Sequence, residues 1–129
     1  MGYIARHIES RLKELLDIHP VVILSGPRQV GKSTLLQNAV FLKGWRYITL
    51  DDPTLLEQAE EDPKGLLLDD IPTIIDEVQR CPELLVTVKY FVDQSKRNRR
   101  FILSGSGNVS LRGSPRETLV GRAKYLHLT

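Results

Sequence analysis

Residues 21–34 contain the feature that most constrains the fold of this chain. An apolar segment with β-branched residues, VVILS, leads into residues 26–33, which match G-x-x-x-x-G-K-[ST], and a helical pattern of apolar residues follows. In a strand–turn–helix of this kind, backbone N–H groups converge on phosphate oxygens at the helix N-terminus. The pattern therefore predicts a P-loop that binds a nucleoside triphosphate. Its predicted phosphate-binding residues are Gly26, Pro27, Arg28, Gln29, Val30, Gly31, Lys32, Ser33 and Thr34.

Two side chains of this loop have predicted roles of their own. Lys32 is expected to contact the β- and γ-phosphates, where its charge also supports catalysis. The hydroxyl of Ser33 is expected to complete the ligand shell of Mg²⁺. The loop thus predicts both a nucleotide and a metal ion.

A second apolar run, residues 71–77, ends in Asp76 and Glu77. Buried parallel strands present such carboxylates at their carboxyl ends, where open α/β sheets bind ligands. We expect Asp76 to hold Mg²⁺, often through water, and Glu77 to deprotonate the water that attacks the γ-phosphate. The alternative for Glu77 is that it only begins a helix, where an acid suits the positive end of the dipole. The adjacent pair favours hydrolysis over phosphoryl transfer to a second substrate.

A third apolar run, residues 101–106, ends in small polar residues. A hydroxyl at the tip of such a strand can hydrogen-bond both the γ-phosphate and the attacking water. Ser104 is the first candidate for this sensor and Ser106 the second. The alternative is that these serines cap a following helix.

Arg122 follows Gly121 just before the last apolar segment. A guanidinium is planar and permanently charged, so Arg122 can act as an arginine finger, within the chain or across a subunit boundary. An ordinary solvated arginine is the equal alternative.

Helical and strand patterns alternate along the chain, which predicts a parallel sheet with helices on both faces. We expect a first helix near 3–17 and strands near 21–25, 46–50, 72–76, 101–104 and 124–128. Helices are expected near 32–41, 53–61, 83–96 and 108–118. Asp52 before Pro53 is typical of a helix N-cap, with a role of Asp51 or Asp52 near the metal as the alternative.

Five stretches together resemble the AAA-type ATPases of bacteria and archaea that carry an uncharacterised C-terminal domain. They are GPRQVGKSTLL (26–36), YITLDDP (47–53), IDEVQ (75–79) with Pro82 just after, FILSGS (101–106) and LVGR (119–122). The resemblance implies a three-layer α/β/α fold with a five-stranded parallel sheet of order 5-1-4-3-2. It also implies ATP and Mg²⁺ as ligands.

The same resemblance assigns roles to residues. It gives the roles argued above to Lys32, Ser33, Asp76 and Glu77. It also implies that Ser104 is a sensor and that Arg122 is a functional arginine, through which copies of the longer protein can assemble. Family members continue beyond this point, so we expect residues 1–129 to form a single ATP-binding core without lid or C-terminal domain. Hydrolysis by the core alone is expected to be weak or absent.

The composition agrees with a soluble, cytoplasmic domain. The chain is 41% apolar and 26% charged, with a formal charge of +2 and one cysteine, Cys81, which excludes an intramolecular disulfide. It contains no apolar run long enough to span a bilayer, so no membrane contact is expected. Residues 96–100, KRNRR, are predicted to be a solvated helix end far from the phosphates, with a nucleic-acid or protein contact as the weaker alternative.

Two functions remain after these considerations. The first is an ATP hydrolase whose cycle drives a conformational change in an attached module or partner. The second is a nucleotide-dependent switch, or a DNA- or protein-binding module, with little hydrolysis.

Overall fold

Helices and strands alternate along the chain, because segments with apolar residues at helical spacing alternate with short apolar runs. The computed structural model describes residues 2–26, 31–94, 99–106, 119 and 121–127, apart from the side chains of residues 2–6 and 106. In chain order its elements are α1 (Gly2–Ile18), β1 (Val21–Gly26), α2 (Lys32–Asn38), β2 (Arg46–Thr49), α3 (Pro53–Glu61), α4 (Pro63–Leu66), β3 (Thr73–Asp76), α5 (Leu84–Gln94), β4 (Phe101–Ser106) and β5 (Ala123–His127).

The five strands form one parallel sheet in the order β2-β3-β4-β1-β5. This is the predicted order read from the other side, so the predicted α/β P-loop fold is confirmed. Strand β1 pairs with β4 from Val21 opposite Phe101 to Gly26 opposite Ser106. Because the strands are parallel, their last residues meet at one end of the sheet, here called the carboxyl edge, and their first residues at the amino edge.

Apolar side chains are buried on both faces of the sheet, since alternate residues of a strand point to opposite faces. One face packs against α1 and α2, and its buried cluster contains Leu12, Leu15, Leu16, Val22, Leu24, Leu36, Leu42, Ile74 and Ile102. The other face packs against α3, α4 and α5, with buried side chains that include Val21, Ile23, Ala59, Leu66, Ile75, Leu84, Val88, Phe101 and Leu103. The sheet is the middle of three layers, as predicted.

Element bounds differ from the predicted ones in a few places. The helix predicted for 53–61 has those bounds, whereas the one predicted for 32–41 ends at Asn38 and is followed by a 3₁₀ turn at Val40–Leu42. Helix α4 was not predicted, although Asp62 begins it through a bond from Gly65 N to Oδ1 at 3.0 Å. The helix predicted near 108–118 lies outside the described residues.

Arg99 corrects the prediction of a solvated basic cluster at 96–100. Its side chain is only 3% exposed. The guanidinium carbon lies 5.2 Å from the ring centre of Phe91 and 4.7 Å from that of Phe101, and Nη2 donates to the backbone O of Leu67 at 3.0 Å. Desolvation lowers the pKa of Arg99. Residues 96–98 lie outside the described part of the chain, but Arg99 and Arg100 precede β4 and so lie at the amino edge.

Candidate functional site

The carboxyl edge brings the predicted metal residues together with those predicted phosphate residues that the structure describes. Strand β1 ends at Gly26, and β3 ends at Asp76 opposite Thr49 of β2. Helix α2 begins directly after Gly31, whose φ of 78° lies in the left-handed region that glycine adopts without strain. Of the predicted loop the structure thus describes Gly26 and residues 31–34. Outside the described residues lie Pro27, Arg28, Gln29 and Val30.

Ser33 and Asp76, the two predicted metal residues, are in direct contact. Ser33 Oγ donates to Asp76 Oδ2 at 2.6 Å, which joins the start of α2 to the end of β3. Asp76 is 2% exposed, and a buried carboxylate is costly without donors or a cation beside it. Hydroxyl and carboxylate oxygens are the ligands that Mg²⁺ prefers. The donor set of this pair therefore fits a hard divalent cation.

Tyr47 of β2 is a second donor to Asp76 that sequence reasoning did not single out. Its hydroxyl lies 2.5 Å from the same oxygen, Oδ2. Burial and, next, the bond to Asp76 raise the pKa of Tyr47 to about 12, so the phenol keeps its proton at neutral pH. The backbone N–H of Glu77 donates to Oδ1 at 3.0 Å. Within the described residues, both oxygens of Asp76 are therefore hydrogen-bonded.

Lys32, the first residue of α2, is buried. It is 4% exposed, and its Nζ donates to the backbone O of Gly26 at 2.5 Å. A buried ammonium group is costly unless polar atoms surround it. The carbonyl of Gly26 is one such atom, and it holds the charge of Lys32 at the end of β1, where phosphates are expected.

Glu77 is buried and has an unusual backbone. Its φ of 56° and ψ of 43° are left-handed, and it is the one non-glycine residue with positive φ in the described part of the chain. A residue held in this region costs roughly 1–3 kcal/mol and often marks a functional site. A 3₁₀ turn, Val78–Arg80, does follow Glu77, but its side chain makes no capping hydrogen bond to that turn. Oε1 instead accepts from Nε2 of Gln79 at 2.7 Å.

A pocket of about 200 Å³ opens at this edge, and its lining includes Asp51, for which a role near the metal was the alternative prediction. It is lined by Gly31, Lys32, Ser33, Thr34, Asp51 and Glu77. Asp51 also pairs with Arg80, with Nε and Oδ1 2.8 Å apart. Its neighbour Asp52 has the predicted structural role, since Oδ1 accepts from Thr54 N at 2.9 Å at the start of α3. Of the two neighbouring acids, only Asp51 lines the pocket.

The two sensor candidates differ in depth. Ser104 is completely buried opposite Leu24, and its Oγ has no hydrogen-bond partner among the described residues. Ser106 lies opposite Gly26, the first residue of the P-loop, although its side chain is outside the description. The pairing therefore puts the backbone of Ser106 nearer to the loop than that of Ser104. The helix that either serine would cap lies outside the described residues.

Arg122 is not brought to the pocket of its own chain. Its backbone O accepts from Val21 N at 3.2 Å, so it lies at the amino edge beside the first residue of β1. The five residue steps from Val21 to Gly26 span roughly 16 Å of strand. Nε of Arg122 pairs with Oδ1 of Asp93 at 2.5 Å, and this bond lowers the pKa of Asp93. A finger acting within the same chain does not fit this position.

Tyr47, Gln79 and Arg80 are the site residues that sequence reasoning missed. All three lie in stretches that carried the resemblance or directly beside one: Tyr47 begins YITLDDP, Gln79 ends IDEVQ, and Arg80 follows it. Alternation along β2 could have indicated Tyr47, because Tyr47 and Thr49 share a face and Thr49 pairs with Asp76. No pattern in the sequence indicated Gln79 or Arg80.

Comparison with known proteins gives a family and several relatives. A family model described as an AAA domain matches residues 18–129. Uncharacterized proteins of Mycobacterium bovis and Mycobacterium tuberculosis are each 32% identical to the chain over 126 residues, which is 96% of the chain. The aligned region is 28% of the length of each relative.

Solved structures share the fold. A Walker-type ATPase of Pyrococcus abyssi superposes with a TM-score of 0.59 and 20% identity, over 96% of this chain and 53% of that one. A RuvB variant of Thermotoga maritima superposes with a TM-score of 0.51 and is 22% identical, over 94% of this chain and 44% of that one. At these identities the likeness concerns the fold alone.

No helix within the described residues is both long and apolar enough to cross a bilayer.

Proposed function

We propose that this chain, which belongs to the AAA domain family, binds ATP with Mg²⁺ at the pocket between α2 and β3. In the longer protein we propose that it hydrolyses ATP and that the cycle drives a conformational change in an attached module or partner. The single observation that supports this most is the 2.6 Å contact between Ser33 and Asp76. It joins the end of the P-loop to the acidic strand, so one cation could be held by both.

The candidate residues at this end of the sheet have proposed parts in ATP binding and hydrolysis. Lys32 neutralises phosphate charge, and Ser33 and Asp76 hold the metal ion. When bound, Mg²⁺ supplies positive charge that offsets the charge developing on the phosphoryl group. Glu77 orients the attacking water and accepts its proton on a carboxylate oxygen. Ser104 or Ser106 then senses the γ-phosphate, and the pairing of Ser106 with Gly26 favours Ser106.

One observation favours the second candidate function, a nucleotide-dependent switch with little hydrolysis. The carboxylate of Glu77 accepts a hydrogen bond from Gln79 at 2.7 Å. A base that is engaged in this way is less available to a water molecule. In that case nucleotide occupancy would be reported to a protein or nucleic-acid partner without rapid turnover.

The relatives extend well beyond the region that this chain matches. The chain spans 28% of the length of the mycobacterial proteins. We therefore propose that residues 1–129 are one ATP-binding core, and that a lid and a C-terminal domain belong to a longer protein. Copies of that protein would assemble through Arg122. A cytoplasmic location would supply the ATP.

The test is ATP binding and hydrolysis by the full-length protein and two variants. Glu77→Gln keeps the shape of the side chain but removes the base, so we expect nearly unchanged ATP affinity and turnover lower by about 100-fold or more. Glu57→Gln makes the same chemical change at an exposed position of α3 and should behave like the parent. Equal turnover in all three proteins would reject Glu77 as the base, and no ATP binding by the parent would reject the function itself.

A further inference from the structure

Tyr47 contacts the metal-side carboxylate but has no part in the roles assigned above. Its hydroxyl lies 2.5 Å from Asp76 Oδ2. The ring packs against the buried cluster on the α1–α2 face of the sheet. Tyr47 also lies two residues before Thr49, the residue of β2 that pairs with Asp76. The phenol is thus carried by the neighbouring strand and held by its own packing.

A carboxylate can accept about four hydrogen bonds, two at each oxygen. Counting the described residues, Oδ2 accepts from Ser33 and from Tyr47, and Oδ1 accepts from the backbone N–H of Glu77. One acceptor position is left, and it belongs to Oδ1. Without the phenol, Oδ2 would have one open position, the carboxylate as a whole would have two, and it would have one restraint fewer.

We propose that Tyr47 is a positioning residue that holds Oδ2 of Asp76 against Ser33 and leaves Oδ1 for a divalent cation or a water bound to it. The inference deepens the proposed function and rests on it, because it concerns the Mg²⁺ that would accompany ATP. Partners that orient a metal ligand typically change metal affinity by about 10- to 100-fold when they are removed. Tyr47 should therefore set how strongly Mg²⁺ and nucleotide assist each other's binding.

The experiment measures binding of a fluorescent N-methylanthraniloyl-ADP to the full-length protein, once in Mg²⁺ and once in EDTA. The ratio of the two affinities is the Mg²⁺ enhancement. Tyr47→Phe keeps the packed ring and removes only the hydroxyl. We expect affinity in EDTA to stay within about twofold and the Mg²⁺ enhancement to fall about tenfold. Tyr90→Phe removes a hydroxyl from a tyrosine of α5 that is 42% exposed, and should match the parent.

A double-mutant cycle separates action through Asp76 from a general effect. Once Asp76→Asn has removed the charge, adding Tyr47→Phe should lower the Mg²⁺ enhancement no further. A full additional loss would overturn the proposal, as would an unchanged or larger enhancement in Tyr47→Phe alone. If Tyr47→Phe weakened binding equally in Mg²⁺ and in EDTA, Tyr47 would support the site as a whole and the proposal would also fall.

The parent protein tests the premise separately. If it binds nucleotide but Mg²⁺ brings no enhancement, the proposed metal site fails and the inference fails with it. If the parent shows the enhancement and Tyr47→Phe retains it in full, only the role of Tyr47 is overturned.

Discussion

Gln79 lies two residues after Glu77, and its side-chain Nε2 donates a hydrogen bond to Oε1 of Glu77 at 2.7 Å. Glu77 directly follows the end of β3, and its backbone is in the left-handed region. The other amide atom of Gln79, Oε1, is buried and has no hydrogen-bond partner among the described residues. The amide therefore holds the proposed base and still has an acceptor to offer, and we expect Gln79 to be a positioning residue for Glu77.

We predict that Gln79→Leu in the full-length protein lowers ATP turnover about tenfold, because the carboxylate of Glu77 loses the donor that orients it. ATP affinity should change little, since Gln79 does not line the proposed nucleotide pocket. Steady-state kinetics measure both, with Gln58→Leu on an exposed part of α3 as the control. Faster turnover would instead mean that Gln79 restrains the base, as the switch function requires.

A second prediction concerns the charge of Lys32. Ligand at about 100 times its Kd stabilises a protein by roughly 2.7 kcal/mol. For a domain of this size that is a rise in melting temperature on the order of 10 °C. We expect Mg-ATP to produce this rise in the parent and in Lys13→Ala, which alters an exposed lysine of α1. Lys32→Ala should lose most of this rise. Thermal denaturation with and without Mg-ATP measures it, and an undiminished rise in Lys32→Ala would contradict the prediction.

The neighbouring acids Asp51 and Asp52 allow a matched comparison of stability. Asp52 accepts hydrogen bonds from the N–H groups of Thr54 and Leu55, so Asp52→Ala should cost about 1 kcal/mol of unfolding free energy. Asp51 makes a half-exposed ion pair with Arg80, and such pairs contribute about 0–1 kcal/mol. Urea denaturation of both variants would measure the difference. A larger loss in Asp51→Ala would show that the pair with Arg80 stabilises the fold.

The fold could be predicted because its signals are local. The P-loop pattern defines a strand, a turn and a helix in sequence, and the run ending at Asp76 identifies a second buried strand. Helix α3 was predicted to the residue because Asp52 and Pro53 are a start signal that requires no distant contact. Asp62 and Pro63 carry the same signal, but the helix that they begin has only one turn, which is too short for a helical pattern to indicate it.

Features that depend on distant contacts could not be predicted in this way. Arg99 was expected in solvent because charged residues usually are. It is buried because α5 and β4 bring the rings of Phe91 and Phe101 close to its guanidinium group. The bond from Tyr47 to Asp76 likewise joins residues 29 positions apart, and only the pairing of β2 with β3 brings them together. The left-handed backbone of Glu77 has no signature in its residue type.

Cys81 provides a prediction about how rarely the core opens and about how stability depends on pH. It is the one cysteine of the chain, it is 1% exposed, and burial raises its thiol pKa. The thiol pKa is higher in the folded than in the unfolded protein, so the buried thiol stabilises the fold at pH values below the unfolded pKa. This contribution is lost as the pH rises through the pKa of the folded protein. We expect labelling by a maleimide near pH 7 to be at least about 100-fold slower in the folded protein than in denaturant. Similar rates in both would show that the core around Cys81 opens readily.

Arg122 provides the final prediction, and its position restricts the mechanism. It lies at the amino edge beside Val21, whereas the P-loop begins with Gly26 at the other end of β1. A catalytic role for Arg122 therefore requires the pocket of another copy, and turnover should then rise with protein concentration. Arg122→Ala in the full-length protein should lower turnover by about 1000-fold, within the range of known fingers, with little loss of ATP binding.

Mixing variants distinguishes this role from a structural one. Glu77→Gln retains Arg122 but lacks the base, so mixing it with Arg122→Ala should restore part of the activity if the two share a site. The control is Asp93→Ala, which breaks the ion pair with Arg122 but leaves the guanidinium in place. If Asp93→Ala loses as much turnover as Arg122→Ala and mixing restores nothing, the ion pair accounts for the effect. In that case Arg122 stabilises the contact between α5 and the residues before β5, and it takes no part in hydrolysis.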